Sequence, residues 1–202
     1  MITNPQGADY DKMVNLALEL LMDYEIYDFP LNLKSLTKKL NIKLKKYSEL
    51  NSVDFEALVE KSPLGTTTME KYTNYHMEYQ LWYNDIDNSV ERNRFTIAHE
   101  ICHVVNEDFE KPITENDEKL CDYFAKCLLA PQCLIISRNE LDINTIVTKY
   151  KVSKMVAENW LYAINNRIAT FGKDYLTDTE KSYLKQIKNT IITSRQATDY
   201  SI

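Results

Sequence analysis

Two histidines four residues apart, His99 and His103, flank a glutamate in the pentapeptide His99-Glu100-Ile101-Cys102-His103. On a helix, residues four apart differ by about 40° around the axis and about 6 Å along it, so both imidazoles reach one metal ion from one face. Glu100 falls about 60° from His103, near that metal but off the ligand pair, where a general base for an activated water belongs. The chain has only three histidines, and at its composition this pattern is expected by chance about 0.004 times. A hydrolytic zinc takes three protein ligands and leaves one position open. The pattern therefore predicts a carboxylate from a neighbouring element.

Glu115, Asp117, Glu118 and Asp122 follow within one helical stretch. Thr114 with Asp117 predicts the start of a helix that ends at Pro131, with Leu120, Phe124, Cys127 and Leu128 as its apolar set. In the first turn, Glu115 and Asp117 are explained by capping and the helix dipole. Glu118 and Asp122 are one turn apart beside the apolar stripe, which makes Glu118 the expected third ligand. Asp122 then falls where it can accept a hydrogen bond from a ligand histidine and fix its tautomer. An oxyanion donor is needed as well, and His76, Tyr72, Tyr75 and Tyr83 all remain open for it. Arg92 and Arg94 are expected either to anchor substrate carbonyls or to form salt bridges on the helix flank.

These groups must be positioned by the elements around them. Helical spacing is expected over 9–23, through Met13, Leu16, Ala17, Leu20 and Leu21, and over 32–40, through Leu33, Leu36 and Leu40. Residues 42–47 alternate as an edge strand with a basic side. Segments 66–72 and 77–83 read as a hairpin or adjacent strands joined at 73–76. Asn88 with Glu91 predicts the cap of the long helix that carries the two histidines. After Pro131 everything reads as helical: 141–150, a tight turn at Lys151-Val152, a helix from Ser153 to about 165, and a polar helix near 178–194. Strands followed by helices make an α+β protein. The expected division is 1–131, carrying the site, and 132–202, a helical region with a helix-turn-helix-like segment at 141–165.

The chain has 202 residues, of which 44% are hydrophobic and 27% charged, as in a globular protein of one or two small domains. No basic flank precedes the first apolar stretch, and no run approaches the roughly 20 apolar residues of a membrane span, so the expected compartment is the cytoplasm. Cys102, Cys121, Cys127 and Cys133 are read as buried thiols, not a disulfide framework. The net charge is -6, with 5 basic and 11 acidic residues over 85–130 against 8 and 5 over 151–202. That balance argues against a large nucleic-acid footprint. The second helix of the 141–165 pair also carries little positive charge at its N-terminal end, so a protein-docking role is expected over DNA contact.

The run from Arg92 to Val104 containing His99-Glu100-Ile101-Cys102-His103, followed by Glu118-Lys119-Leu120-Cys121-Asp122-Tyr123-Phe124-Ala125 and on to Pro131, resembles the ImmA/IrrE family of metallo-endopeptidases. Tyr83-Asn84 at a strand end and Val152-Ser153 in the helical pair match that layout too, so the resemblance spans roughly 9–166, and the tail after Phe171 lies outside it. Cys102 stands where the family often has Gly, and Cys121-Asp122 where Ala-Asn is usual. The resemblance implies a zincin-like catalytic part of the gluzincin type, with His99, His103 and Glu118 holding one Zn²⁺ and Glu100 as catalytic base. It also implies the setting, a phage or mobile-element protease that cleaves a helix-turn-helix repressor. The competing reading is a non-proteolytic, zinc-containing regulator that sequesters a repressor or antitoxin-like partner. A DNA-binding protein with a degenerate metal site would need a salt-sensitive DNA affinity that the charge balance does not favour.

Overall fold

The computed structural model describes residues 5–71, 77–106 and 112–199. Helix α1 (Gly7–Asp23) buries Met13, Ala17, Leu18, Leu20 and Leu21 on one side. Helix α2 (Leu33–Lys39) starts where Asn32 accepts a hydrogen bond from the Ser35 N–H at 3.0 Å. Strand β1 (Ile42–Lys46) follows, then a short 3-10 turn at Tyr47–Glu49. Helix α3 (Ser52–Lys61) buries no residue, so it left no apolar periodicity to read. Its one signal is Asn51, whose side chain accepts from the Val53 and Asp54 N–H groups.

Strands β2 (Gly65–Lys71) and β3 (Met77–Tyr83) pair antiparallel, with Thr67 opposite Leu81 and Gly65 opposite Tyr83. Strand β1 pairs parallel with β3 on its other side, giving the order β1-β3-β2. The turn expected at 73–76 lies outside the described residues. Among the described residues both β1 and β2 are therefore sheet edges, and Lys43 on the basic side of β1 pairs with Glu78 at 2.6 Å.

Helix α4 (Val90–Val105) crosses β2 and β3, and α5 (Glu115–Leu129) lies between α4 and α1. The cap of α4 differs from expectation: Ser89 accepts from the Arg92 N–H at 3.2 Å, while Asn88 turns back to donate to Asn84 O. Both residues are good caps, and the turn built by Asn84 decides between them. Thr114 caps α5 as expected, in a reciprocal box with Asp117. Helices α6 (Gln132–Ser137), α7 (Ile143–Tyr150), α8 (Lys154–Phe171) and α9 (Asp178–Asp199) complete the chain. Lys151 takes a left-handed conformation (φ 53°) between α7 and α8, and Ser153 caps α8.

The result is a mostly helical α+β protein with a small mixed sheet among the described residues. One buried cluster runs from Met13 on α1 through Leu81, Ile101, Phe124 and Leu128 to Trp160, Tyr183 and Ile187. All four cysteines are buried within it, and none is in a disulfide among the described residues. The only stretch of described residues apolar enough by composition to suggest a membrane span is Glu115–Ser137. It is broken into α5 and α6 and about two thirds buried, so it is core.

Candidate metal centre

Helix periodicity brings His99 and His103 to one face of α4, with their Nε2 atoms 3.2 Å apart. From α5, Glu118 Oε2 comes within 3.0 Å of His99 Nε2, and Oε1 within 3.7 Å of His103 Nε2. These three side chains form a group that could hold a metal ion. Tetrahedral coordination with bonds of about 2.1 Å places ligand atoms roughly 3.4 Å apart, so the donor set fits zinc. The histidines are largely enclosed and Glu118 is half exposed, which leaves the site open on one side.

Asp122, one turn beyond Glu118, places Oδ1 2.8 Å from His99 Nδ1. With Nδ1–H donating to that carboxylate, the Nε2 lone pair faces the shared point. His103 Nδ1 lies 3.6 Å from Cys121 Sγ. Contact with Cys102 and burial push the Cys121 thiol up, so it stays protonated and meets His103 as a neutral neighbour. Burial disfavours charge on His99, but the Asp122 hydrogen bond and the carboxylates of Glu100, Asp122 and Glu118 outweigh it and raise its pKa. Glu100 is also raised, chiefly by burial, against the lowering effect of Thr67 and the two histidines. A carboxyl group with its pKa raised toward neutrality suits proton transfer at working pH.

A cleft of about 500 Å³ opens on this centre, lined by residues 62–67, by Arg92, Phe95, Thr96, His99, Glu100 and His103 of α4, and by Ile113, Glu118 and Asp122. Its wall at 62–65 is tied down by Asn84. That side chain donates to Pro63 O at 3.0 Å and to Asp87, and accepts from the Ile86 and Asp87 N–H groups, while its N–H donates to Leu64 O. Gly65 permits the close approach of β2 to α4, since a Cβ there would lie 2.5 Å from Thr96 Cγ2 and 2.7 Å from Trp82 O. Arg92 lines the cleft. Arg94 does not: its guanidinium donates to Leu31 O at 3.0 Å and Lys151 O at 3.2 Å, tying together two loops. Tyr83 does not line the cleft either. Its half-buried phenol is raised by burial and lies near Lys46, Asp85 and Glu49. His76, Tyr72 and Tyr75 lie outside the described residues. The cleft wall formed by β2, with Gly65 and Thr67, has no counterpart in the sequence reading; a lone glycine opening a Thr-rich strand was its only signal.

A helix bearing two histidines and a glutamate, facing a second helix that supplies a carboxylate, defines a metallopeptidase-type protein. Residues 54–162 match the IrrE N-terminal-like domain, a metallopeptidase family. The chain belongs to this ImmA/IrrE family. No curated protein matches it.

Proposed function

We propose that the chain is a zinc-dependent endopeptidase with a protein substrate, a helix-turn-helix repressor whose cleavage releases phage or mobile-element genes. The observation that carries the hydrolytic part is the convergence of His99, His103 and Glu118 beside the enclosed carboxyl group of Glu100. The repressor and its genetic setting rest on the family resemblance.

His99, His103 and Glu118 would hold the ion, and Asp122 would orient the His99 ring. Zinc bound there would supply Lewis acidity for a peptide carbonyl and make a nearby water acidic at neutral pH. Glu100 takes the proton of the attacking water and passes it to the departing amine nitrogen. The open edge of β2 borders the same cleft, so an extended substrate segment pairs with its backbone there. Arg92 at the cleft is placed to meet a substrate carbonyl or carboxylate. Residues 132–202 form the partner-reading region in this proposal, with the α7–α8 pair as the helix-turn-helix-like segment. Met155 and Tyr162 are exposed on α8, a face better suited to a protein than to phosphates. The place of action is the cytoplasm, without membrane or direct DNA contact.

Elemental analysis of wild type, Glu118→Ala and the double variant His99→Ala/His103→Ala tests the centre. About one zinc per chain is expected, weakened by Glu118→Ala and lost in the double variant. Failure of folded wild type to take up supplied zinc overturns the peptidase reading. Glu100→Gln is expected to keep its metal and abolish the new peptide termini that wild type generates in a terminal-labelling survey of cellular regulators. A biological effect retained by Glu100→Gln would instead favour sequestration of the partner.

A further inference from the structure

We propose that Thr67 is a positioning residue for Glu100: in the zinc-loaded protein its hydroxyl, unpartnered among the described residues of this structure, donates a hydrogen bond to one carboxylate oxygen and fixes the direction in which the other faces the cleft. The inference rests on the reading of Glu100 as proton acceptor, and it starts from the packing of β2 on α4. Gly65 abuts Thr96, where even a Cβ would collide with Cγ2. Two residues along a strand advance about 6.7 Å on the same face. Four residues along a helix advance about 6 Å on nearly the same face. A strand and helix in contact at Gly65 and Thr96 therefore bring Thr67 alongside Glu100.

Two further observations agree. Thr67 and Glu100 line the same cleft, and Thr67 lies opposite the fully buried Leu81, on the inner face of the sheet. Thr67 Oγ1 is itself buried and makes no hydrogen bond among the described residues of this structure. A buried hydroxyl without a partner is costly, and the Glu100 carboxylate on the same cleft wall is a group able to accept its proton. A glutamate held only by its own three side-chain torsions samples several orientations, and one oxygen anchored from β2 leaves the other with one. Because β2 is also the cleft's edge strand, the same element aligns the base and borders the substrate path.

The test uses the full chain loaded with zinc and ¹³C-labelled at glutamate side-chain carboxyls, with Glu100 assigned by the resonance that Glu100→Gln removes. Thr67→Val, which keeps the shape and deletes the hydroxyl, is expected to move the Glu100 resonance more than any other glutamate signal, with zinc still at about one per chain. Thr67→Ser is expected to restore it. With fluorescein-labelled casein as the probe substrate, Thr67→Val is expected to lower kcat by roughly 10- to 100-fold at little-changed KM, with Thr67→Ser near wild type. A Glu100 resonance unmoved by Thr67→Val overturns the proposal, whatever happens to hydrolysis. A resonance that moves and is restored, with casein uncleaved even by wild type, upholds the Thr67 contact and counts against the peptidase reading instead. If Thr67→Val fails to fold, Thr67→Ala deletes the same hydroxyl and is read in the same way.

Discussion

Asp122 sits one step back from the three converging donors, yet it decides what His99 can do. Its Oδ1 lies 2.8 Å from Nδ1, fixing the tautomer that leaves Nε2 free. The same hydrogen bond, with the nearby carboxylates, raises the His99 pKa against burial. Protons and metal compete for Nε2 of both histidines, and His103 is raised to about 9, so in wild type metal uptake is expected to fall away as pH drops through the raised His103 and His99 values. In Asp122→Ala the Glu100 and Glu118 carboxylates are left alone to oppose burial, so the His99 pKa falls and the His99 step in the curve of affinity against pH moves down. At pH values above both, zinc affinity is expected to weaken by about 10- to 100-fold, because the ring has lost its support. Chelator competition over a pH series reads both effects; an unchanged curve would mean that Asp122 does not orient His99. At this scale the sequence was legible where spacing is local. The histidine pair follows from helix periodicity alone, and Glu118 with Asp122 from one turn of the next helix. Arg94 was not legible, because its partners Leu31 O and Lys151 O come from loops 63 and 57 residues away.

Among the elements, the contact between β2 and α4 is the one on which the cleft depends. Gly65 is not needed for an unusual backbone torsion; it is needed because the strand backbone touches the helix there. Gly65→Ala sets a methyl group 2.7 Å from Trp82 O and 2.5 Å from Thr96 Cγ2, and the neighbouring backbone cannot swing away as a flexible side chain can. Overpacking of this kind costs about 1–3 kcal/mol. Gly65→Ala is expected to lose that much stability in urea unfolding and to push β2 off α4, carrying Thr67 away from Glu100. If the variant is as stable as wild type, the strand does not lie this close to the helix. Elements with an apolar face or a reciprocal cap, such as α1, α4 and α5, were readable along the chain. Helix α3 was not, since it buries nothing. The cap of α4 shifted from Asn88 to Ser89 because Asn84 claims the turn before it. The sheet order, with β1 parallel to β3 and β2 left at the edge, is a tertiary outcome that strand patterns do not encode.

At the scale of the whole molecule, helices that flank the family match support the one that carries the third carboxylate. Helix α1 precedes residues 54–162 and α9 follows them, yet α9 packs on α1 and α1 on α5. Tyr183 of α9 is fully buried and its hydroxyl donates to Ile26 O at 3.2 Å. The start of α9 is held by a two-pronged ion pair, with Arg167 Nη1 and Nη2 each 2.6 Å from a Glu180 oxygen. Glu180 is buried and also accepts from the Thr177 N–H, while Arg167 donates to Tyr175 O. Removing one partner from such a pair strands a charge in a poorly solvated place, at a cost of about 3–5 kcal/mol. Arg167 keeps some contact with water, at 17% side-chain exposure, so the lower end of that range is expected for Glu180→Ala in urea unfolding. Replacing both groups by apolar residues, as in Arg167→Met/Glu180→Leu, is expected to recover most of the loss, because neither charge is then left unpaired. Zinc affinity measured where each variant is fully folded is expected to stay at the wild-type level, since α9 supports α5 through α1. Glu180→Ala costing under about 1 kcal/mol would place the pair with ordinary surface bridges. Full stability loss persisting in the double variant would mean that the pair's geometry, rather than its charge balance, holds α9 in place.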